Sequence, residues 1–356
     1  MFVRGGGTIH SNIFDDIISC GNLLKAWREF KKGKTKKRDI LEFDFYLEKN
    51  IFSLYKDLKN KTYQNEPYVP FYVYDPKRRH IHKACVRDRV VHQAMYRVLY
   101  GIYDKHFIYD SYSCRNNKGT HKGVKRLEDF IRKESQNYSR NTWVLKCDIS
   151  KFFDSIDHNI LKDVLFKKDL GADTEWLIEQ IIKSFEKTEN KGLPLGNVTS
   201  QLFSNIYLNE FDQFVKHELK IKYYIRYCDD FVIVSKDKRF LELLIPHIAL
   251  FLMNKLGLSL HPRKVEIRKI SQGIDFLGYV ALPHYRVLRT NTKKRILRLS
   301  KSSNFKEETK QSYLGVLSHC KGYKIANSFE NRNKMILSKD GRIQKRKLTP
   351  AHSHYK

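Results

Sequence analysis

The sequence predicts an α+β protein in which an antiparallel sheet packs against helices. Three observations predict this class: apolar residues recur at helical spacing over long stretches, short runs are rich in β-branched and aromatic residues, and two of these runs flank a short acidic turn as a hairpin would. The order is helix, hairpin, helix, then strand, helix and hairpin, then a basic helical segment. An antiparallel sheet with helices to one side fits this order.

Length and composition limit the classes of protein that this chain can form. The 356 residues suffice for a sizeable core and suggest roughly two domains. With 41% hydrophobic and 30% charged residues, the chain is not largely disordered. Lys and Arg number 68 against 39 Asp and Glu, which gives a net charge of +29. Such an excess indicates a polyanionic partner, with nucleic acid first and an anionic membrane surface second.

Other features of the sequence bear on the compartment. The six cysteines include no Cys-x-x-Cys pair, which argues against a zinc ribbon and against a disulfide framework. The first ten residues lack the apolar core of a secretory signal. The longest apolar stretch, Phe240 to Leu258, contains too many polar residues to span a bilayer. We therefore expect a cytoplasmic protein with no membrane partner.

The first elements are helices, a hairpin and another helix. Residues 1–60 carry apolar positions at helical spacing, and the basic run Lys31 to Arg38 is either a solvated loop or a nucleic-acid contact. Tyr68 to Tyr74 is rich in β-formers and predicts a strand, with Ile81 to Val86 as its return strand. Arg87 to Asp104 has one apolar face and predicts a helix.

The later elements predict a sheet and a basic helical end. Asp157 is the expected N-cap of a helix. Helical residues should extend to about Phe329, and Glu330 to Lys356 forms a polar, basic tail. The remaining predicted elements are a strand from Trp143 to Cys147, a helix from Val198 to Leu219, hairpin strands from Tyr223 to Tyr227 and Phe231 to Ser235, and a strand from Ile274 to Ala281.

Acidic residues at the ends of these strands form the clearest functional signal. Asp229 and Asp230 lie at the tip of the hairpin, and Asp148 ends another apolar strand. An isolated Asp-Asp pair is common in polar turns. Carboxylates brought together at strand ends repel each other and need a cation. Mg²⁺ suits such a set, and two ions about 4 Å apart support phosphoryl transfer.

Ordered motifs around these carboxylates resemble those of reverse transcriptases across nearly the whole chain. A single motif of this kind would be weak, whereas five in order are a strong signal. The matching segments are the Tyr-x-Asp-Asp box at Tyr227 to Asp230, the aspartate motif from Asp148 to Asp154, the palm helix from Gly196 to Gln201, the stretch Leu258 to Lys264 followed by Phe276 to Tyr279, and Arg87 to Gln93, which resembles group II intron-type enzymes.

The resemblance implies a right-hand polymerase fold and a division of the chain. It implies fingers, a palm with an antiparallel sheet on helices, and a short helical thumb. The corresponding boundaries are 1–60 for an N-terminal helical extension, 61–147 for fingers with part of the palm, 148–284 for the palm, 285–330 for a basic thumb and 331–356 for a basic tail.

Two departures from the common pattern resemble the reverse transcriptases of diversity-generating retroelements. Most of the family has Gln-Gly-x-x-x-Ser-Pro in the palm helix, whereas this chain has Leu195 in place of the Gln and Gln201 in place of the Pro. Leu offers no hydrogen-bonding group, so we expect weaker rejection of mispairs. The resemblance implies errors at template adenines, mutagenic retrohoming and a small oligomeric accessory variability protein.

The resemblance also assigns roles to individual residues. Asp148 and Asp229, assisted by Asp230 and the backbone carbonyl of Ile149, would hold two Mg²⁺ ions, for which Mn²⁺ could substitute. Phe153 would exclude the ribose 2′-hydroxyl or else be a core residue. The other expected contacts with the nucleotide are Leu195, Gly196, Gln201, Arg79, Lys83 and Lys264, the last also as a general acid toward pyrophosphate.

The nucleic-acid partners follow from the same resemblance. They are template RNA, a primer or cDNA strand, and dNTPs. The expected primer grip is Phe276, Leu277, Gly278 and Tyr279. The expected backbone contacts are Arg286, Arg289, Lys293, Lys294, Arg295 and Arg298.

Two alternatives remain open at this point. One is a related prokaryotic reverse transcriptase, such as an anti-phage defence enzyme. The other is a non-catalytic RNA-binding protein with a polymerase fold, against which the retained Asp148, Asp229 and Asp230 argue.

Overall fold

A computed structural model describes residues 12–74, 78–300 and 306–327. Contacts within the chain divide it into two compact units, Met1–Lys269 and Ile270–Lys356. Both units combine helices with antiparallel strands, which confirms the mixed helix and sheet class. Within the described ranges, no helix has the length and apolarity that a membrane crossing requires. The finer boundaries of fingers, palm and thumb stay predictions.

Four helices open the first unit, as the apolar spacing predicts. Each begins with a local signal or packs an apolar stripe; for example, the Ser19 hydroxyl accepts a hydrogen bond from the Asn22 N–H at 3.2 Å. Leu23, Trp27 and Phe30 share the buried face of the second helix. The bounds are α1 (Ile13–Ile18), α2 (Cys20–Lys31), α3 (Arg38–Phe45) and α4 (Leu47–Lys59).

An exposed antiparallel hairpin and a long helix follow. Strands β1 (Val69–Val73) and β2 (Arg79–Lys83) pair with Val73 opposite Arg79, and every residue of β1 is exposed. The hairpin is as predicted, but the return strand ends before Val86. The Sγ of Cys85 accepts a hydrogen bond from the Asp88 N–H at 3.4 Å, and Val86 thereby becomes the first residue of α5 (Val86–Tyr103).

The next segment carries the strand that ends at Asp148 and the helices around it. Asp157 caps the helix His158–Phe166 as predicted, because its Oδ1 accepts hydrogen bonds from two backbone N–H groups. The helix predicted to end at Leu219 ends at Gln213 and continues as a π turn, Phe214–Glu218. The bounds are α6 (Thr120–Glu134), β3 (Trp143–Asp148), α7 (Phe152–Ser155), α8 (His158–Phe166), α9 (Ala172–Lys183) and α10 (Val198–Gln213).

A four-stranded antiparallel sheet forms the centre of the first unit. It is completed by β4 (Tyr224–Tyr227), β5 (Asp230–Ser235) and β6 (Glu266–Lys269), in the order β4-β5-β3-β6. Helix α11 (Lys238–Leu256) packs on β3, β5 and β6, and α6 packs on β4 and β5. Most apolar residues of β3 and β5 are buried, and the register of the two strands places the end of β3 and the start of β5 at one edge.

The second unit contains a small sheet and two helices. The strand predicted from Ile274 to Ala281 is wrong, because Leu277 (φ +50°) and Gly278 (φ +90°) reverse the chain. Positive φ at both turn residues is the two-residue hairpin geometry, which usually has Asn or Gly where Leu277 stands. The bounds are β7 (Ile274–Phe276), β8 (Tyr279–Leu282), β9 (Tyr285–Leu288), α12 (Thr290–Leu299) and α13 (Glu307–Leu317).

The start of the predicted basic helical segment is a strand. Arg286 lies in β9, where it pairs with Ala281, and the helix begins only at Thr290. The segment from Tyr285 to Leu288 is too short for its apolar spacing to distinguish a strand from a helix. Phe329 and the predicted tail Glu330 to Lys356 lie outside the described residues.

Candidate active site

The ends of two paired strands bring three carboxylates to one edge of the sheet. Asp148, the last residue of β3, lies directly opposite Asp230, the first residue of β5. Directly opposed residues of an antiparallel pair point to the same face of the sheet. Asp229 precedes β5 in the turn, and its carbonyl accepts a hydrogen bond from the Ile149 N–H at 3.2 Å. The Asp148 carbonyl in turn accepts one from the His261 N–H at 2.8 Å.

The carboxylates at this edge repel one another. Burial and the charge of Asp148 raise the pKa of the Asp229 carboxyl above its usual value, although the Lys264 charge opposes this. The Lys264 Nζ lies 2.8 Å from the Asp148 Oδ1, and the Lys146 Nζ lies 3.9 Å from the Asp230 Oδ2. Lys264 and Lys146 thus bring positive charge to this edge of the sheet.

The carboxylates at this edge are ligands of the kind that divalent metal ions prefer. Across the described ranges, no three His, Cys, Asp or Glu side chains are gathered closely enough to hold a metal ion. The chemistry of the donors nevertheless suits Mg²⁺, which takes a few carboxylates and completes its shell with water and phosphate oxygens. Burial and then the charge of Asp148 raise the pKa of Asp229, and a divalent cation held by these carboxylates would offset that charge. The residues therefore fit the ion.

A buried ion pair supports the turn that carries Asp229. Arg226 and Asp212 are both fully buried, and the Arg226 Nη2 lies 2.6 Å from the Asp212 Oδ2. The Arg226 Nη1 also donates to the Cys228 carbonyl at 3.1 Å. Cys228 has φ +57°, an unfavourable conformation for this residue. The guanidinium thus holds the strained residue immediately before Asp229.

Further hydrogen bonds complete this buried network. Burial alone would lower the pKa of Arg226, but the charge of Asp212 raises it above its usual value, so the guanidinium stays charged. The Tyr224 hydroxyl donates to the Asp212 Oδ1 at 2.7 Å, and the Arg226 Nη1 contacts the Asn205 Oδ1 at 3.3 Å. Arg226 and Asp212 are not among the functional residues that the sequence predicts. The available signal was an arginine in an apolar strand two residues before the acidic turn.

Phe153, Leu195 and Gly196 have distinct environments. Phe152 is buried, whereas Phe153 is half-buried and packs against it with ring centroids 5.3 Å apart. The Leu195 carbonyl accepts a hydrogen bond from the His82 N–H at 3.1 Å, which joins this loop to β2. Gly196 has φ +115°, and a Cβ there would lie 3.0 Å from the Ile81 Cγ2. The loop thus requires glycine at this position.

The cations predicted to bind the triphosphate differ in their partners. Arg79 is exposed at the start of β2. The Lys83 Nζ lies 2.7 Å from the Asp39 Oδ2, which also contacts the Arg89 Nη2 at 3.2 Å. Lys83 is therefore held by a carboxylate, whereas Lys264 lies directly beside Asp148. Gln201 is exposed on α10.

The predicted primer grip and thumb residues lie in the second unit. Phe276 and Tyr279 are buried in its sheet, so the half-exposed part of that motif is the turn at Leu277 and Gly278. The Arg289 Nε donates to the Asp275 Oδ1 at 2.7 Å. Of the basic residues predicted to contact nucleic acid, Arg286, Arg289 and Arg295 are half-buried, and Lys293, Lys294 and Arg298 are exposed.

Comparison with known proteins identifies the family. The family model described as reverse transcriptase (RNA-dependent DNA polymerase) matches residues 75–281, more than half of the chain. The chain therefore belongs to the reverse transcriptase family. The protein YkfC of Escherichia coli K12 is 27% identical over 250 residues, which are 58% of this chain and 65% of that protein.

A second relative is the group II intron-encoded protein LtrA of Lactococcus lactis subsp. cremoris. It is 25% identical over 324 residues, which cover 71% of this chain and 52% of LtrA. The chain thus spans less than two thirds of the length of either relative. Among solved structures, apo telomerase from Candida tropicalis gives a TM-score of 0.46 at 15% identity, with 67% of this chain and 60% of that chain covered.

Proposed function

We propose that this chain is an RNA-directed DNA polymerase that extends a primer along an RNA template with dNTPs. The observation that carries the proposal is the strand register that sets Asp148 opposite Asp230, with Asp229 beside them, in a chain of net charge +29. A basic protein has no structural reason to gather repelling carboxylates at one sheet edge. Membership of the reverse transcriptase family supports the same activity.

The site residues would have different roles in the reaction. Reverse transcriptases use divalent metals, and Asp148, Asp229 and Asp230 with the Ile149 carbonyl would hold two Mg²⁺ ions, or Mn²⁺. Bound there, these ions would stabilise charge on the attacking and leaving oxygens. Lys264 lies 2.8 Å from the Asp148 carboxylate and would donate a proton to the leaving pyrophosphate.

Other side chains would bind and select the substrates. The half-buried ring of Phe153 would exclude the 2′-hydroxyl of a ribonucleotide, since it cannot hydrogen-bond to that group. Arg79 is exposed and would contact the triphosphate, whereas the Asp39 ion pair of Lys83 favours a supporting role for that lysine. In this proposal residues 61–147 act as fingers, 148–284 as palm and primer grip, and 285–330 as thumb.

Leu195 and Gln201 favour a mutagenic enzyme of a diversity-generating retroelement. Leu195 has no amide with which to orient the nucleotide or template, so mispairs at adenines should be rejected poorly. Such an enzyme would work in a prokaryotic cytoplasm with an oligomeric accessory variability protein. Accurate copying would instead fit a related reverse transcriptase with another role.

Primer extension on a defined RNA template, with Mg²⁺, four dNTPs and sequenced products, tests the proposal. The variant with Asp229→Asn and Asp230→Asn should lose synthesis by at least about a thousandfold. Asp163→Asn, an exposed residue of α8, is the matched control and should retain activity. If this double variant synthesised as much DNA as the wild type, the assignment of the carboxylates as catalytic residues would be wrong. If the wild type is silent, the assay is repeated with the accessory protein and cognate RNA, and silence there would favour a binding-only role.

A further inference from the structure

Helix α11 exposes a row of apolar side chains on the side that faces away from the sheet. Its buried side, which includes Ile248, packs on β3, β5 and β6. With 3.6 residues per turn, Leu250 lies on the opposite side of the helix from Ile248. Leu243, Leu250 and Met253 are 59%, 56% and 61% exposed. The full row is Leu243, Pro246, Leu250 and Met253.

The spacing of this row is that of a helix that packs against another helix. The four residues follow one another at intervals of three, four and three, which are the core positions of a coiled coil. A helix that covers a sheet needs one apolar face, and its outer face is usually polar. Single exposed apolar residues are common, whereas a contiguous apolar patch marks an interaction site. The row therefore indicates that another helix packs on it.

The charges beside the row indicate which helix would fit. Arg239 is exposed and lies four residues before Leu243, so it continues the row towards the start of α11. Lys255 is exposed at the other end of the helix. Along Lys238–Leu256, all of which the structure describes, the one carboxylate is Glu242, and its Oε1 lies 3.0 Å from the Lys238 Nζ. A helix that carries Asp and Glu beside its apolar stripe is complementary to this surface.

The same charges argue against other occupants of the row. Two copies of a chain with a net charge of +29 repel each other, and one helix row offers less than the about 800 Å² per partner of a stable complex. Residues 328–356 hold eight Lys and Arg against two Asp and Glu in sequence, so they would be repelled as well. A nucleic-acid backbone would contact the cations and leave the apolar row in water.

We propose that the exposed row of α11 docks an acidic amphipathic helix of a partner protein. The apolar stripe of that helix packs on Leu243, Leu250 and Met253, and its carboxylates meet Arg239 and Lys255. The unbranched side chain of Met253 adapts to the shape of its partner. The row lies on the outer side of the helix rather than at the edge that carries the carboxylates, so the inference goes beyond the proposed function and does not depend on it.

The test measures the binding of labelled synthetic helical peptides to the full chain by fluorescence anisotropy. One peptide has three heptads with Leu at positions a and d and Glu beside them, and the other has the same composition with its Leu residues spread around the helix. The wild type should bind the striped peptide at least about tenfold more tightly than the other. The variant with Leu243→Gln and Leu250→Gln should lose this preference.

A matched control removes apolar surface elsewhere on the molecule. Leu41→Gln with Phe45→Gln replaces two exposed side chains of α3 and should retain the full preference for the striped peptide. Both double variants should melt at the temperature of the wild type, because the replaced side chains are exposed. Arg239→Gln should weaken the binding of the striped peptide and reduce its dependence on salt.

The remaining outcomes separate this inference from its alternatives. Equal binding of the two peptides by the wild type, or an unchanged preference in the Leu243→Gln and Leu250→Gln variant, would overturn it. A wild-type dimer in sedimentation that this variant loses would make a second copy the occupant and would also overturn it. Primer extension by the variant should equal that of the wild type, so failure of the polymerase proposal would leave the peptide result unchanged.

Discussion

At the scale of single residues, Leu195 is the position on which the proposal of error-prone copying depends. Its backbone is held by the hydrogen bond from the His82 N–H at 3.1 Å, which does not depend on the side chain. We therefore expect Leu195→Gln to keep the loop in place and to add an amide that can orient the base pair. The error frequency opposite template adenines should fall by about tenfold in sequenced cDNA. Leu195→Met is the control and should remain error-prone.

The raised pKa of Asp229 leads to a prediction about stability. Burial and the charge of Asp148 raise this pKa in the folded protein, so the ionised carboxylate costs stability at neutral pH. Asp229→Asn should raise the melting temperature by about 1–3 °C in chelator at neutral pH, although it abolishes synthesis. The cost disappears as Asp229 takes up a proton, so this gain should shrink as the pH falls through the raised pKa.

Thermal melting of the wild type and Asp229→Asn over a pH series checks this prediction. Asp163→Asn removes an exposed carboxylate, so its melting temperature should not differ from that of the wild type in a way that depends on pH. A melting temperature of Asp229→Asn that lies below the wild type at neutral pH would show that the carboxylate stabilises the fold.

At the scale of elements, the β4–β5 turn depends on the buried ion pair behind it. Arg226→Met would leave Asp212 charged and unpaired in the core, which should cost about 3–5 kcal/mol of unfolding free energy. Adding Asp212→Asn removes that charge and keeps an acceptor for Tyr224, so it should restore about 2 kcal/mol. Synthesis should stay low in both variants, because the bond from Arg226 to the Cys228 carbonyl is missing.

Denaturant unfolding and primer extension measure these two effects separately. Full activity in the variant with both Arg226→Met and Asp212→Asn would mean that Cys228 keeps its conformation without the guanidinium. Unchanged stability in Arg226→Met would mean that Asp212 is accommodated in another way, for example by taking up a proton.

Elements with strong local signals could be predicted from the sequence. The strand before Asp148 and the helix capped by Asp157 were clear, because apolar runs and a capping residue are local features. The turn at Leu277 could not be predicted, because leucine does not favour the positive φ that it adopts there. The Arg226–Asp212 pair was also missed, since it joins a strand to a helix and no spacing along the chain indicates it.

At the scale of the whole molecule, the dominant property is the net charge of +29. Composition alone leaves nucleic acid and anionic membranes as partners. Membership of the reverse transcriptase family favours nucleic acid. Each cation that neutralises a phosphate releases a counterion, so the affinity for a primer–template should fall steeply with salt concentration.

The exposed lysines of α12 allow this dependence to be measured locally. If Lys293 and Lys294 both contact phosphates, replacing them with Gln should reduce the slope of log affinity against log salt by about 1.4–1.8. Replacing Lys56 and Lys59, exposed in the last turn of α4, removes the same charge from the molecule and serves as the control. An equal change of slope in both pairs would mean that the total charge, rather than a contact made by α12, sets the salt dependence. A change confined to the α12 pair would instead assign phosphate contacts to that helix.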